Sequence, residues 1–156
     1  MDSIQVIHCD FSNVIHKKSF IELMNLYIQD NMGGGELIHG KKAKDLIEGM
    51  TNTPNAIVLF AEYKNKMVGL LNAFTSFATF SVGKRINIHD IIVLNEYRSK
   101  GIGTKLMKHI EAIATEQNCT KLTLEVRTDN KSAQKLYKKL GYGETKPKML
   151  FWVKCL

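Results

Sequence analysis

The stretch Ile86-Asn-Ile-His-Asp-Ile-Ile-Val-Leu-Asn-Glu-Tyr-Arg98-Ser-Lys-Gly101-Ile-Gly103-Thr-Lys-Leu-Met-Lys108 decides the fold. Its first half is short, apolar and β-branched, as a buried strand is. Its second half continues into apolar residues at Ile102, Leu106, Ile110 and Ile113 with helical spacing. A strand that turns through glycines into a helix leaves unpaired backbone N–H groups at the helix start, with the positive end of the helix dipole behind them. Such a turn is an anion cradle. Gly101 and Gly103 remove the side chains that would hold a phosphate off the backbone, and Arg98 and Lys100 add charge at the rim. Two familiar phosphate loops do not fit. A dinucleotide fingerprint requires a third glycine where this chain has Leu106, and a P-loop requires Gly-Lys-Ser/Thr after four intervening residues.

Upstream of this stretch, residues 3–9 read as a first strand, and Asp10-Phe-Ser-Asn13 as a helix-start cluster. Phe20, Leu23, Met24 and Tyr27 then share one face of a helix over about 12–30, where they are read as core. Asp30-Asn-Met-Gly-Gly-Gly-Glu36 is a loop, because three consecutive glycines forfeit both helix propensity and strand packing. A second helix fits 40–50, followed by the turn cluster Thr51-Asn-Thr-Pro54-Asn. Strands over 56–63 and 67–80 form an antiparallel hairpin through Lys64-Asn-Lys66.

Downstream, the helix that starts at the glycines ends near Asn118. The segment 121–127 alternates as a fifth strand, with Leu122, Leu124 and Val126 on one side and Thr123, Glu125 and Arg127 on the other. Asn130 precedes a short helix over 131–140 that Gly141 terminates. The tail Lys148-Met-Leu-Phe-Trp-Val-Lys-Cys-Leu156 reads as a last strand, suited equally to the interior of the monomer or to a homodimer interface. Strands and helices in this order predict an α/β chain, a mixed sheet with helices on both faces.

The length of 156 residues is that of one domain, 1–156, able to bury a core without staples. No apolar run reaches the length of a membrane span, and the N-terminus lacks the order of a signal peptide, so a cytoplasmic location is expected. Cys9, Cys119 and Cys155 are odd in number and widely separated, which suits reduced thiols, and no Cys/His cluster has metal-ligand spacing. A net charge of +7 raises the question of nucleic acid. The lysines are nevertheless spread through every segment without an aromatic RNA-binding signature, so an anionic small ligand is expected instead.

The run Arg98-Ser99-Lys100-Gly101-Ile102-Gly103 resembles the acetyl-CoA-binding signature of the GNAT superfamily of N-acetyltransferases, Arg/Gln-x-x-Gly-x-Gly/Ala. The resemblance extends through Val93-Leu-Asn-Glu-Tyr before it and through Asn130-Lys-Ser-Ala133-Gln-Lys-Leu-Tyr137 to Leu140-Gly-Tyr142 after it, about the second half of the chain. It implies a mostly antiparallel twisted sheet of about six to seven strands, splayed between the fourth and fifth strands so that the pantetheine arm inserts there. The alternation of Ile86, Ile88 and Asp90 breaks down at Ile91-Ile92-Val93, where a bulge is expected.

The same resemblance implies acetyl-CoA as cofactor and direct attack of an amine on the thioester. It implies that the amides of Gly101, Ile102, Gly103 and Thr104 hold the pyrophosphate, with Arg98, Ser99 and Lys100 alongside. The backbone at Ile91, Ile92 and Val93 would pair with pantetheine, Asn130 and Ala133 would add contacts, and Tyr137 would be the general acid near sulfur. Asn130 serves equally as a helix cap. For the base, His89 stands where polyamine-type members carry a glutamate, and imidazole titrates nearest neutrality. Glu125 lies twelve residues before Tyr137, as in members that acetylate protein N-termini, and is the preferred choice. Asp90, pointing away from His89 by alternation, is a third. Asp30 and Glu36 beside the glycine loop, with Asp90, are expected to receive a cationic acceptor. The segment 69–90 is similar to diamine and polyamine acetyltransferases, and Leu124-Glu-Val-Arg127 to N-terminal acetyltransferases, so a small amine is the expected acceptor and a peptide the alternative.

Overall fold

The computed structural model describes residues 3–156. One sheet holds β1 (Gln5–His8), β2 (Ala56–Tyr63), β3 (Lys66–Ala78), β4 (Gly83–Val93) and β5 (Lys121–Leu124), neighbours in chain order. The first three pairings are antiparallel, and β4 with β5 is parallel. A parallel pair needs a crossover, which is supplied by α3 (Ile102–Glu116). Between β1 and β2 run α1 (Val14–Gln29) and α2 (Gly40–Thr51), and α4 (Lys131–Lys139) follows β5.

Ile57 to Ala61 of β2 and Val68 to Ala73 of β3 are buried without a break, so both faces of the central sheet are covered. From α1 come Phe20 and Leu23, and from α3 come Ile102, Leu106, Met107 and Ile110, all in one cluster with the strands. The start of α1 is fixed by Asn13, whose Oδ1 accepts from the Ile15 N–H at 2.8 Å and the His16 N–H at 3.3 Å. Its end is fixed by Gly33. A Cβ there would fall 1.8 Å from the Tyr27 carbonyl oxygen, so the chain can fold back under α1 only as glycine.

Two expectations are corrected. The sheet has five strands among the described residues, not six to seven, because the tail Lys148–Leu156 has no regular structure. An apolar run becomes a strand only where an edge takes up its N–H and C=O groups, and here none does. The fifth strand also ends at Leu124 rather than at Arg127, since its pairing with β4 stops there and leaves the following backbone without a ladder partner.

Candidate active site where two strands part

Pairing of β4 with β5 runs from Arg85↔Lys121 to Ile88↔Leu124 and then stops, while β4 continues to Val93. From His89 to Val93, the side of β4 away from β3 has no partner strand among the described residues. The chain leaves this open edge through a 3-10 turn at Asn95–Tyr97 and enters the glycine loop. Ser99 and Gly101 both adopt left-handed backbone, φ 61° and 79°. The first backbone bond of α3 runs from the Lys105 N–H to the Gly101 carbonyl, so the amides of Gly101, Ile102, Gly103 and Thr104 have no backbone acceptor among the described residues. A Cβ on Gly101 would meet nothing within 4 Å, so the surface over these amides is open. The turn fits a phosphate. Gly103 also faces α4. A Cβ there would come 3.2 Å from Leu136 Cδ2, so the glycine leaves room for the α4 side chain beside the start of α3.

Arg98 is not a free rim cation. Its Nη2 donates to Asp30 Oδ2 at 2.7 Å and its Nε to the Val93 carbonyl at 3.0 Å. This ties the end of α1 to the end of β4, and the guanidinium with the Met32 amide holds the Asp30 carboxyl below its ordinary range. Asp30, Ile92, Val93 and Arg98 come together along one hollow of about 480 Å³. Glu36 is apart from them, fully on the surface and paired with Lys42 at 2.5 Å. Lys100 lies with its ammonium 5.2 Å from the Tyr97 ring centroid.

The bulge sits earlier than expected. Asp90 pairs with Asn72 and Ile88 with Ala73, which leaves His89 as the extra residue of β4. Asn72 and Phe74, two apart on the regular strand, share a face. Asn72 Nδ2 donates to Asp90 Oδ2 at 3.0 Å, and the His89 ring meets the Phe74 ring edge-on at 4.8 Å. His89 and Asp90 therefore point to the same side, not to opposite sides, because a bulge cancels the alternation between neighbours.

That side faces α1, since Asn72 Nδ2 also donates to Met24 Sδ at 3.3 Å. One turn on, Tyr27 has its phenol pKa raised by burial and by the nearby Asp90 and Asp30 carboxylates, against an opposing effect of Arg127. Tyr27 is thus a cleft residue that helix periodicity assigns to the core. Asn72 was also missed. It is buried, 3% exposed, and its Oδ1 has no hydrogen-bond partner among the described residues. An asparagine inside the apolar run Val68-Gly-Leu-Leu-Asn-Ala73 was the available signal, because a buried amide demands a partner.

Across the cleft, Tyr137 on α4 is 7% exposed, and its phenol is pushed up to about 12 by burial, with smaller contributions from Tyr27 and Tyr142. It holds its proton at neutral pH. Asn130 caps α4, its Oδ1 accepting the Ala133 N–H at 3.0 Å, so that amide is already engaged. Glu125 is exposed and directly follows the last paired residue Leu124, level with His89 on β4. His89 and Asp90 lie just beyond the last β4–β5 pair, where the strands part.

Residues 20–142 match the family model for the acetyltransferase (GNAT) family. The chain belongs to the GNAT acetyltransferase family. Members of this family use acetyl-CoA, and the open β4 edge with the unpaired amides of the glycine loop is where such a ligand fits. Among relatives, a thialysine N-epsilon-acetyltransferase of Bos taurus is 40% identical over 75 residues, 48% of this chain and 44% of that protein. An N-alpha-acetyltransferase of Sulfurisphaera tokodaii is 42% identical over 64 residues, 40% of this chain and 38% of that one. The chain thus spans less than half the length of these relatives. A probable acetyltransferase of solved structure covers 97% of this chain and 98% of its own, with TM-score 0.83 at 18% identity. An aminoglycoside N-acetyltransferase in complex with CoA covers 99% and 97%, with TM-score 0.77 at 15% identity. At these identities the likeness to both is one of GNAT fold. Among the described residues no helix is long and apolar enough to cross a membrane, and no group of His, Cys, Asp and Glu could hold a metal ion.

Proposed function

We propose that this chain moves an acetyl group from acetyl-CoA to a primary amine, with a small or polyamine-like cation as acceptor. Acetyl-CoA supplies the activated acetyl thioester. The observation that carries this reading is the succession of the β4 edge from His89 to Val93, which has no partner strand among the described residues, and the unpaired amides of Gly101 to Thr104. The loop amides hold the pyrophosphate, and Ser99 and Lys100 line its approach. The edge at Ile91, whose N–H and C=O face away from β3, pairs with the pantetheine arm and polarises the acetyl oxygen, which fixed amides do without reorganisation. The Val93 carbonyl is already held by Arg98, so Val93 contributes through its position at the end of that edge.

Asp90 receives the acceptor ammonium, since the carboxylates of Asp30 and Glu36 are paired with Arg98 and Lys42. One oxygen of Asp90 is fixed by Asn72, which orients the other. His89 beside it, on the face that carries Asp90, takes the amine proton. Tyr137 Oη delivers a proton to the departing sulfur, a task suited to a buried phenol that stays protonated.

A peptide N-terminus is the second reading, favoured by the similarity to an N-alpha-acetyltransferase and by Glu125 directly after the last paired residue of β5. A panel of diamines, polyamines, lysine analogues and short peptides, followed by thiol release, decides between them. Release with small amines is expected. Release with peptides alone would transfer the role to N-terminal acetylation, and acetyl-CoA binding without release for any acceptor would make the chain an acyl-CoA sensor.

A further inference from the structure

The last carbonyls of a helix carry the negative end of its dipole, so a carboxylate there is opposed and a cation is favoured. Yet the C-cap of α1 is Asp30, and the last turn of that helix holds no basic residue. The compensating cation comes from 68 positions away, where Arg98 Nη2 donates to Asp30 Oδ2 at 2.7 Å. The other carboxylate oxygen accepts the Met32 N–H at 2.9 Å.

Each half of this pair also suits one of two ligands. Arg98 stands three residues before Gly101, its side chain is 46% exposed, and its guanidinium fork has donors left over once Asp30 and the Val93 carbonyl are served. It is the half that a pyrophosphate on the loop amides reaches. Asp30, whose side chain is 17% exposed, belongs to the cleft side of α1. Met24, Tyr27 and Asp30 follow one another at intervals of three, which keeps them near one stripe of the helix. Met24 meets Asn72, the partner of Asp90, and Tyr27 feels the charge of both Asp90 and Asp30. A rise of about 1.5 Å per residue sets Asp30 roughly 9 Å beyond Met24 along α1. Two carboxylates at that order of spacing match the charges of a linear polyamine.

We propose that Arg98 and Asp30 are exchange partners: Arg98 turns to a pyrophosphate held on the loop amides, and Asp30, released at the negative end of α1, takes a second ammonium group of the acceptor. This rests on the acetyl-transfer reading and deepens it, because it names an acceptor with two cationic groups, one for Asp90 and one for Asp30. While the pair is closed, both charges are compensated. Engaging Arg98 alone leaves a carboxylate facing helix carbonyls, a cost that an incoming ammonium removes. Each ligand therefore lowers the cost of binding the other, by the same factor in both directions.

Calorimetry on the full chain tests this with CoA, which carries no acetyl group and so gives no turnover, with spermidine as the polyamine and with butylamine as a single-charge control. CoA should tighten spermidine binding by at least about fivefold and leave butylamine within about twofold. Asp30→Asn keeps an oxygen for the Met32 N–H but removes the charge. It should bind CoA more tightly than the wild type, because Arg98 is then free from the start, and it should lose the coupling to spermidine, which direct pairing of spermidine with CoA would preserve. Arg98→Gln should bind CoA more weakly, and spermidine without CoA more tightly. A pair that only braced the fold would weaken both ligands in either variant, so unchanged or weakened CoA binding by folded Asp30→Asn overturns the exchange. Spermidine binding that ignores CoA in the wild type overturns it too, as does equal coupling for butylamine, since one ammonium then suffices. Failure of the wild type to bind CoA at all would overturn the acetyl-transfer reading and the exchange with it, a result distinct from the others.

Discussion

The two walls of the cleft are built in different ways. The β4 wall is held to β3 over ten residue pairs and fixed at its bulge by Asn72 on Asp90. At its end Arg98 clamps it to Asp30. The opposite wall has only four paired residues in β5 and then hands over to α4, whose start is fixed by the Asn130 cap. A wall whose backbone is pinned can offer fixed amides as ligands. A wall that is a helix on a short strand contributes side chains instead, Tyr137 above all. Binding and proton delivery should therefore separate by wall when each is perturbed.

The largest expected effect is on the α4 wall. Tyr137→Phe should lower kcat by roughly 10²- to 10⁴-fold while leaving the KM for acetyl-CoA nearly unchanged, because the hydroxyl matters as charge develops on sulfur. Steady-state kinetics with varied acetyl-CoA measure this, and a loss confined to KM would mean that the tyrosine only packs. On the β4 wall, Asp90→Asn should raise the KM for the acceptor amine by about tenfold or more, the size of one charge-assisted hydrogen bond. Under the same conditions Glu125→Gln should change neither constant by more than about twofold. The reverse pattern would return the proton-accepting role to Glu125, and the comparison of walls would lose its basis.

The smallest effect concerns two neighbouring phenols on the α4 side. Burial pushes both Tyr137 and Tyr142 up to about 12 from an ordinary 10.0. The folded chain then holds these protons more tightly than the unfolded one. Their contribution is complete below about pH 10 and is lost as the pH rises through about 12. Melting temperature should fall over that window, and Tyr142→Phe should blunt the fall. At neutral pH the same variant should be neutral or stabilising by about 1 kcal/mol, since the Tyr142 hydroxyl is buried with no partner among the described residues.

Most of the fold was legible because it rests on local signals. The period change at Gly101, the cap at Asn130 and the hairpin at 64–66 each announce themselves in a few residues. The glycine turn into α3 was legible for the same reason. The arrangement of His89 and Asp90 was not, because it depends on a bulge that turns them to one face and on Asn72 reaching across from β3. Nor does composition reveal that Arg98 faces Asp30, 68 residues away in sequence. The tail shows the converse error. Its residues have every property of a strand, but a strand is a relation to a neighbour, and sequence pattern does not supply the neighbour.

Titration of acetyl-CoA into the wild-type chain and into Gly101→Glu by calorimetry tests the central claim most directly. In this structure a side chain at residue 101 has room but strains a left-handed position by roughly 1–2 kcal/mol, so the variant should remain folded by circular dichroism. The carboxylate stands where phosphate oxygens meet the loop amides. The expected result is saturable binding to the wild type and no measurable binding to the folded variant. Equal affinity for both would contradict the assignment of the glycine loop as the seat of the pyrophosphate.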